Sequence, residues 1–299
     1  MKLFLDNQPF FKGNLHCHTT LSDGLLSPES VIALYQGMGY DFLAITDHRK
    51  LSEPTHKKDR MLVLSGIEMD YALPGESLHL VGIGMDPSYD PAKSIRLDPQ
   101  VGIRQMRKHG GRVILAHPAW SLNTLSTLSS LRNITAAEIY NSISTYPWEG
   151  DRADSSIILD IAATHGAPYC FVASDDAHSY NGEAGRSFTM IQADELTQDA
   201  LFAALDAGRF YASQGPCFEQ ISIDDSLLTV RCSPVETVIF YSNLSGTRCV
   251  TCSGQTEATY DLSCHSDQTF VRCQIIDANG CSAWSNPILL TADPLIFSV

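Results

Sequence analysis

The sequence contains no run of about 20 apolar residues, which is the length that a membrane-spanning helix needs. Its first residues, 1–7, show neither the apolar core nor the small-residue cleavage site of a signal peptide. Basic residues are also few, since 20 Lys and Arg stand against 34 Asp and Glu and give a net charge of −14. Binding of long nucleic acids draws on clustered Lys and Arg. We therefore expect a cytoplasmic protein that binds neither membranes nor long nucleic acids, while a short nucleotide stays open as a ligand.

Cysteine is plentiful, but the arrangements that would give it a special role are missing. The chain has nine cysteines, most of them in its last third. In a reducing compartment these are expected to be buried thiols rather than disulfides. Cys249 and Cys252 form a Cys-x-x-Cys pair, but no second pair follows at zinc-finger spacing. Neither Ser22 nor Ser174 lies in a Gly-x-Ser-x-Gly turn, so no serine nucleophile is expected.

Three potential metal ligands, His16, His18 and Asp23, lie within eight residues near the start of the chain. Alternate side chains of a strand project from one face, so the two histidines can bind the same ion. The small polar residues 20–24 indicate a turn that could return the Asp23 carboxylate to the same place. The alternative is a pair of half-buried histidines that only hydrogen-bond to the backbone.

Short apolar runs alternate with helical patterns over most of the remaining chain. The 299 residues suggest a large domain followed by a smaller one. Strands are predicted at 41–46, 61–67, 112–116 and 169–173, and helices at 28–38, 98–109, 152–165 and 197–208. Such alternation predicts a parallel sheet and, because it is extended, a barrel.

Residues of the types that commonly bind metals follow the predicted strands directly. They are His48, Glu68, His117, Asp176 and His178. Active sites of βα-barrels are built at this end of the strands. His79 departs from the rule because it lies at the start of an apolar run, where it would pass for an ordinary strand histidine.

Three further residues lie near these motifs, and two of them, Arg186 and Trp120, have two interpretations each. Asn141 follows the run 136–140 and could orient a substrate. Arg186 could clamp a phosphate through paired hydrogen bonds, or it could be an ordinary surface arginine. Trp120 could form a pocket wall or simply pack in the protein interior.

Together the motifs resemble the polymerase and histidinol phosphatase (PHP) superfamily of metallohydrolases. They are His-x-His-Thr with Ser-Asp-Gly, Ile-Thr-Asp-His, Gly-Ile-Glu, a later His, Ala-His-Pro and Ser-Asp-Asp-Ala-His, in this order over residues 13–188. The resemblance implies a distorted (β/α)7 TIM-like barrel with two or three divalent metal ions. It implies three ligand sets: His16, His18, Glu68 and Asp176; Glu68, His79 and His117; and Asp23, His48 and His178. We also expect Asp176 and His178 to serve in catalysis.

The residue at the position of Asp23 is a histidine in some members of the superfamily. The third ligand set is therefore richer in oxygen here, and it admits manganese or iron as well as zinc. Paired ions would pull the pKa of a bridging water towards neutrality and stabilise the charge that develops on the attacked group.

After residue 216 the pattern changes to short alternating strands, with a predicted hairpin turn at 277–280. We predict a PHP-type barrel at 1–215 and a small sandwich-like all-β domain at 216–299. Similar appendages accompany some PHP proteins, including relatives grouped with carbamate-hydrolysing enzymes.

The resemblance implies a metal-dependent phosphoesterase that acts on a small phosphomonoester or nucleotide phosphodiester. Two alternatives stay open. The same metal centre could hydrolyse neutral esters or carbamates, or the protein could be an inactive, metal-stabilised binding module. An intact ligand set disfavours the module, because keeping many polar ligands in one place lowers stability.

Overall fold

The computed structural model of the protein describes residues 1–54, 61–93, 98–246 and 248–290. Strands and helices first alternate: β1 (Phe10–Asn14), α1 (Pro28–Gly37), β2 (Phe42–Ala44), β3 (Leu62–Leu64), β4 (Gly66–Leu73), β5 (Glu76–Ile83), α2 (Pro99–Lys108), β6 (Arg112–Leu115), α3 (Leu125–Ser130), β7 (Ala136–Asn141), α4 (Ser156–Thr164), β8 (Phe171–Ser174), β9 (Phe188–Gln192) and α5 (Gln198–Asp206). Strands then predominate: β10 (Phe210–Ser213), β11 (Phe218–Asp224), β12 (Leu227–Ser242), β13 (Arg248–Asp261), β14 (Phe270–Ile276), β15 (Ser282–Ser285) and β16 (Ile288–Leu289).

The helices begin where the sequence places a capping residue. The Ser27 hydroxyl accepts a hydrogen bond from the N–H of Ser30 at the start of α1. Asp98 caps α2 in a similar way by accepting from the N–H of Gln100. Such caps satisfy backbone donors that the first helical turn leaves without partners. The four predicted helices are confirmed as α1, α2, α4 and α5, with ends that differ by a few residues.

The described strands form two sheets. The larger has 11 strands, in the order β11-β12-β14-β15-β10-β9-β1-β2-β3 with β13 and β16 beside this path, and the smaller has the order β4-β5-β6-β7-β8. Isolated parallel bridges join Cys17 to Ala177 and His48 to Glu68. Each bridge links a residue that follows a strand of the larger sheet to one in or just after a strand of the smaller. The ends of β1, β2 and β8 therefore meet beside β4.

This architecture confirms the prediction of a mixed α/β fold with large sheets. Two features depart from a regular parallel barrel: β5 runs antiparallel to both β4 and β6, and β9 runs antiparallel to β1. Within the described ranges the strand ladders form two open sheets and do not close into one ring. The distorted (β/α)7 TIM-like barrel therefore stays a prediction.

The region after residue 216 has the predicted alternating strands. The buried side chains of β12 pack with those of β11 and β14 in one apolar cluster. The predicted turn at 277–280 joins β14 to β15, and β15 pairs with β10 as well as with β14. These strands therefore continue the larger sheet. The sandwich form and the division at residue 215 stay predictions, and residues 291–299 of that predicted domain lie outside the described residues.

The last strands also contact the strands that carry the predicted site. Trp284 on β15 is buried and stacks on Tyr140 of β7, with ring centroids 5.6 Å apart. The Asn286 side-chain oxygen accepts a hydrogen bond of 2.6 Å from the N–H of Phe171, the first residue of β8. The C-terminal residues thus support β7 and β8 directly.

Among the helices in the described ranges, none has the length and apolar character that crossing a bilayer requires.

Candidate metal centre

The nine predicted metal ligands lie together where the strands of the two sheets meet. Most lie in turns after strands, whereas Glu68 and His79 lie within β4 and β5. Their ligand atoms form three groups, and the atoms of each group lie within 4.8 Å of one another: His16, His18, Glu68 and Asp176; Glu68, His79 and His117; and His18, Asp23, His48 and His178. The fold therefore brings together residues that are far apart in the sequence. Two groups equal sets that the resemblance implies, and the third contains His18 in addition to the implied Asp23, His48 and His178.

The first group is the most deeply buried. The Nε2 atoms of His16 and His18 are 3.2 Å apart, and each lies 3.2 Å from Glu68 Oε2. Asp176 Oδ1 lies 3.2 Å from the first of these nitrogens and 3.0 Å from the second. Two nitrogens and two oxygens thus converge on one point. This is a ligand set that zinc, manganese and iron accept.

Glu68 connects the first group to the second, because its two oxygens face different histidines. Oε2 faces the first group, whereas Oε1 lies 2.8 Å from Nδ1 of His79 and 3.3 Å from Nε2 of His117. The other ring nitrogen of His117 lies 2.9 Å from the Ser121 hydroxyl, which leaves Nε2 available as a ligand. A carboxylate in this position can bridge two metal ions.

The third group lies on the more exposed side of the cluster. Asp23 carboxylate oxygens are 3.6 Å from the Nε2 atoms of His48 and His178, which is too long for hydrogen bonds. Gly24 makes the turn behind Asp23 possible, because a Cβ there would lie 2.4 Å from the carbonyl oxygen of His18. The absence of a side chain thus lets the chain turn back and return the carboxylate to the histidines.

The protonation of the cluster reflects the carboxylates that lie among its histidines. Burial alone would lower the pKa of His18, but Asp176 and Glu68 outweigh it and raise that pKa to about 9. The pKa values of His16 and His117 are also raised by nearby carboxylates despite burial. The histidines in turn lower the pKa values of Glu68 and Asp176, which burial alone would raise. A divalent cation can replace these protons as the compensating charge.

Two poorly satisfied atoms test whether these residues fit metal ions. Asp176 Oδ1 and His48 Nδ1 are buried, and neither makes a well-aligned hydrogen bond within the described residues, although Asp176 Oδ1 lies 3.0 Å from Nε2 of His18 and His48 Nδ1 lies 3.2 Å from Glu68 Oε2. A buried polar atom without a hydrogen bond costs about 1–3 kcal/mol, which coordination to a cation would offset. Moreover, His117 and Asp176 have positive φ angles of 29° and 53°, a conformation that costs about 1–3 kcal/mol and clusters at functional sites. The residues therefore fit divalent metal ions.

Sequence reasoning missed two acidic residues that hold the ligands in place. Glu138 on β7 is fully buried, and its Oε1 lies 2.9 Å from Nδ1 of His16. Asp47 accepts hydrogen bonds from the backbone and the hydroxyl of Thr19, which fixes the turn that carries Asp23. For Glu138 the available signal was a single carboxylate inside an apolar strand, since such a charge is buried only with a partner.

Asn141 and Trp120 both contact predicted ligands. The Asn141 side-chain nitrogen donates a hydrogen bond of 3.1 Å to Asp176 Oδ2. The Trp120 ring lies edge-on to His117, with ring centroids 4.8 Å apart. Asn141 therefore contacts a predicted ligand directly, and its role in orienting a substrate stays a prediction.

Arg186 lies away from these contacts. Its side chain is exposed, its guanidinium stacks over Trp148 at 4.8 Å from the ring centroid, and its Nε donates to the Gly182 carbonyl. Within the described part of the chain, no hydrogen bond or ion pair joins this guanidinium to the cluster. The phosphate clamp stays a prediction, and it requires the side chain to leave its present partners.

Comparisons with known proteins give two kinds of match. A 5′-3′ exoribonuclease of Haemophilus influenzae is 31% identical over 101 residues, which cover 32% of this chain and 36% of that protein. A 3′,5′-nucleoside bisphosphate phosphatase of Chromobacterium violaceum is 35% identical over 103 residues, which cover 31% of this chain and 36% of that protein. The chain thus spans little more than a third of the length of these relatives. No protein-family model matches it.

The second kind of match is a solved structure that aligns with almost the whole chain. It is a two-domain protein of Bacteroides vulgatus described as containing a predicted PHP-like metal-dependent phosphoesterase, and it covers 96% of both chains with a TM-score of 0.56. At 17% identity this likeness concerns the fold. The motifs and the fold agree with these matches, and the predicted resemblance to PHP-like metal-dependent phosphoesterases is confirmed.

Proposed function

We propose that the protein is a metal-dependent phosphoesterase that hydrolyses small phosphomonoesters or nucleotide phosphodiesters. The observation that carries the proposal is the position of Glu68, whose two oxygens face two separate sets of histidines. A shared carboxylate of this kind suits adjacent metal ions, which act together in many phosphoryl-transfer enzymes. The relatives that act on nucleoside bisphosphate and on RNA support this reaction class.

The centre would hold two or three divalent ions, with zinc, manganese and iron as candidates. His16, His18, Glu68 and Asp176 would hold one, Glu68, His79 and His117 a second, and Asp23, His48 and His178 a third. When bound, such ions supply a nucleophile that is active at neutral pH and stabilise the charge that develops on the phosphoryl group.

The chain itself determines how a substrate reaches this centre. His16 and His18 have fully buried side chains, whereas the side chains of His48 and His178 are 27% and 26% exposed. A phosphate group therefore approaches from the side of the third group. On that side, the Nδ1–H of His178 donates to the Asp176 carbonyl at 2.8 Å, which fixes the ring and turns Nε2 towards Asp23.

The catalytic assignments form part of the same proposal. Asp176 and His178 would serve the reaction from within the ligand set, and Asn141 would hold the Asp176 carboxylate in position. Arg186 would bind a phosphate oxygen that the ions leave free, after its guanidinium moves from Gly182. A nucleotide would offer such an oxygen, as would a small phosphomonoester.

The finer structural predictions also belong to this proposal. They are a distorted (β/α)7 TIM-like barrel at 1–215, a sandwich-like accessory domain at 216–299, and a cytoplasmic location. The parallel pairs β1-β2-β3 and β6-β7-β8, together with the bridges at Cys17 and His48, support a barrel-like arrangement.

The test is hydrolysis of p-nitrophenyl phosphate, bis-p-nitrophenyl phosphate and p-nitrophenyl acetate by enzyme loaded separately with manganese, iron or zinc. We expect turnover of at least one phosphoester that disappears on chelation and returns when the metal is restored. Preference for the acetate would favour the neutral-ester or carbamate reaction. Metal uptake without turnover of any substrate would favour the binding module.

A further inference from the structure

Glu138 occupies a special place beside the ligand cluster, although it belongs to none of the three ligand groups. It lies in the middle of β7, and its side chain is fully buried. Its Oε1 faces Nδ1 of His16 at 2.9 Å. Its Oε2 accepts two hydrogen bonds, of 2.9 Å from the backbone N–H of His117 and of 2.8 Å from the side-chain nitrogen of Asn141.

The contact with His16 determines which ring nitrogen can bind a metal. A carboxylate accepts hydrogen bonds and, when ionised, donates none. Nδ1 of His16 must therefore carry a proton towards Glu138, so that in the neutral ring Nε2 keeps its lone pair. Nε2 is also the atom that points to Glu68 and Asp176, at 3.2 Å from each. Glu138 thus presents the correct nitrogen to the first ligand group.

The second oxygen of Glu138 reaches the other ligands. Oε2 accepts a hydrogen bond from the backbone N–H of His117 and so fixes the backbone of this residue. His117 has a positive φ, and its side chain lies in the second ligand group. Through Asn141, which also donates to Asp176 at 3.1 Å, Oε2 fixes a carboxylate of the first group. One buried side chain therefore orients ligands of both buried groups.

We propose that Glu138 is a positioning residue of the metal centre, and that it sets the tautomer of His16 and aligns His117 and Asp176. This inference rests on the metal-binding part of the proposed function. It concerns how the ligands are oriented and does not depend on the identity of the substrate.

The substitution Glu138→Gln separates positioning from packing, because the amide has the same shape. If its oxygen faced His16, its NH₂ group would meet the donors of His117 and Asn141, and buried donors would be left unpaired. With a neutral His16 ring, the opposite orientation satisfies every group, since the oxygen accepts from His117 and Asn141 while the NH₂ group donates to Nδ1 of His16. The ring must then carry its proton on Nε2, the atom that should bind the metal.

The experiment measures zinc and manganese affinity by chelator competition, together with the thermal midpoint of the metal-free protein, for the wild type and Glu138→Gln. Asp160→Asn is the control, since it removes a partly buried ion pair with Arg272 that is separate from the ligands. We expect Glu138→Gln to lower metal affinity by about 10- to 100-fold while its metal-free midpoint stays near that of the wild type. The control should show the reverse, a lower midpoint with unchanged affinity.

A second measurement reads the tautomer itself. In zinc-loaded wild-type protein labelled with ¹⁵N-histidine, the NMR spectrum should show His16 protonated at Nδ1 and metal-bound at Nε2. Equal metal affinity for Glu138→Gln and the wild type would overturn the inference, as would a variant that is unfolded without metal while the wild type is folded. If the wild type itself takes up no metal, the proposed function and this inference both fail; if it does and the variant matches it, only the role of Glu138 fails.

Discussion

Two buried groups of charged side chains use charge in different ways. Arg272 on β14 is 1% exposed and makes two hydrogen bonds of 2.6 Å to the Asp160 carboxylate on α4. Its guanidinium also stacks over Tyr241, 4.0 Å from the ring centroid. Here one positive group meets one negative group. In the ligand cluster, by contrast, the ion-pair partners of Glu68 and Asp176 within the described residues are histidines, which carry a positive charge only when they are protonated.

The difference separates a structural use of charge from a functional one. The Arg272–Asp160 pair balances its charges within the protein and fastens the C-terminal strands to α4. The ligand cluster balances its charges only by taking up protons or cations. Removing a residue should therefore affect stability at the first place and metal binding at the second.

The largest effect is expected for Glu68→Gln, which replaces the carboxylate shared by two ligand groups with an amide that has one donor group. The variant should lose at least one metal ion per chain and about 10⁴-fold in kcat/KM, because several kcal/mol of transition-state stabilisation depend on the paired ions. Elemental analysis and phosphoester assays provide the measurements. Glu76→Gln is the matched control, since Glu76 bonds to Thr124 and Thr127 away from the cluster; it should change activity by about twofold or less.

Asp160→Asn tests the ion pair between Arg272 and Asp160. It leaves the Arg272 guanidinium buried without a counter-charge, which should lower the free energy of unfolding by about 3–5 kcal/mol. Urea denaturation measures this loss. Metal content should not change, so a variant with normal stability and depleted metal would show that this pair belongs to the centre after all.

Arg186→Met should weaken only the reaction of charged substrates. A phosphoester keeps a charged oxygen that needs a cationic partner, whereas a neutral ester does not. We expect a loss of about 2–4 kcal/mol in kcat/KM for phosphoesters, with metal content and acetate hydrolysis almost unchanged. Arg186→Lys should restore part of the loss, because a point charge cannot reproduce the planar fork. Equal loss for both substrate types would exclude the clamp.

Asn286→Ala tests the support that the C-terminal residues give to β8. The substitution leaves the N–H of Phe171 and the carbonyls of Gly208 and Phe210 without their partner. We expect a loss of about 1–3 kcal/mol in stability, with metal binding intact at saturating metal. The same substitution at Asn243, which bonds near the surface, should cost less. Similar costs at both sites would indicate that β8 does not depend on Asn286.

The smallest expected effect is the dependence of metal affinity on pH. Burial would lower the pKa of His18, but Asp176 and Glu68 raise it to about 9 in the metal-free protein, so this ring is protonated at pH 7. A metal ion must displace that proton, and its apparent affinity should rise about tenfold per pH unit between pH 7 and 8 for each proton displaced. Calorimetry in buffers of different ionisation enthalpy would detect the release. Affinity that is independent of pH would show that the ring is already neutral.

The sequence contains the ligands but only part of their arrangement. His48, His117 and Asp176 were predictable because each directly follows an apolar strand, and the ends of adjacent strands meet. The role of Glu138 could not be predicted, because two partners of its oxygens, His16 and His117, come from distant parts of the sequence. The left-handed backbone at His117 was equally hidden, since only its surroundings hold a histidine in that conformation.

The C-terminal region shows the same limit. Its alternating pattern predicted the strands, and the turn at 277–280 predicted the hairpin of β14 and β15. Nothing in the local pattern indicated that β15 also pairs with β10, or that Trp284 stacks on Tyr140. Such contacts depend on how separate elements pack, which local periodicity does not encode.

The most direct test of the account is the number of metal ions that the intact protein binds. Metal-free protein should be reconstituted with manganese, dialysed, and examined by elemental analysis beside Asp160→Asn, in which every proposed ligand is intact. The account predicts at least two ions per chain in both proteins, because Glu68 joins two complete ligand groups. Less than one ion per chain in the wild type would contradict it.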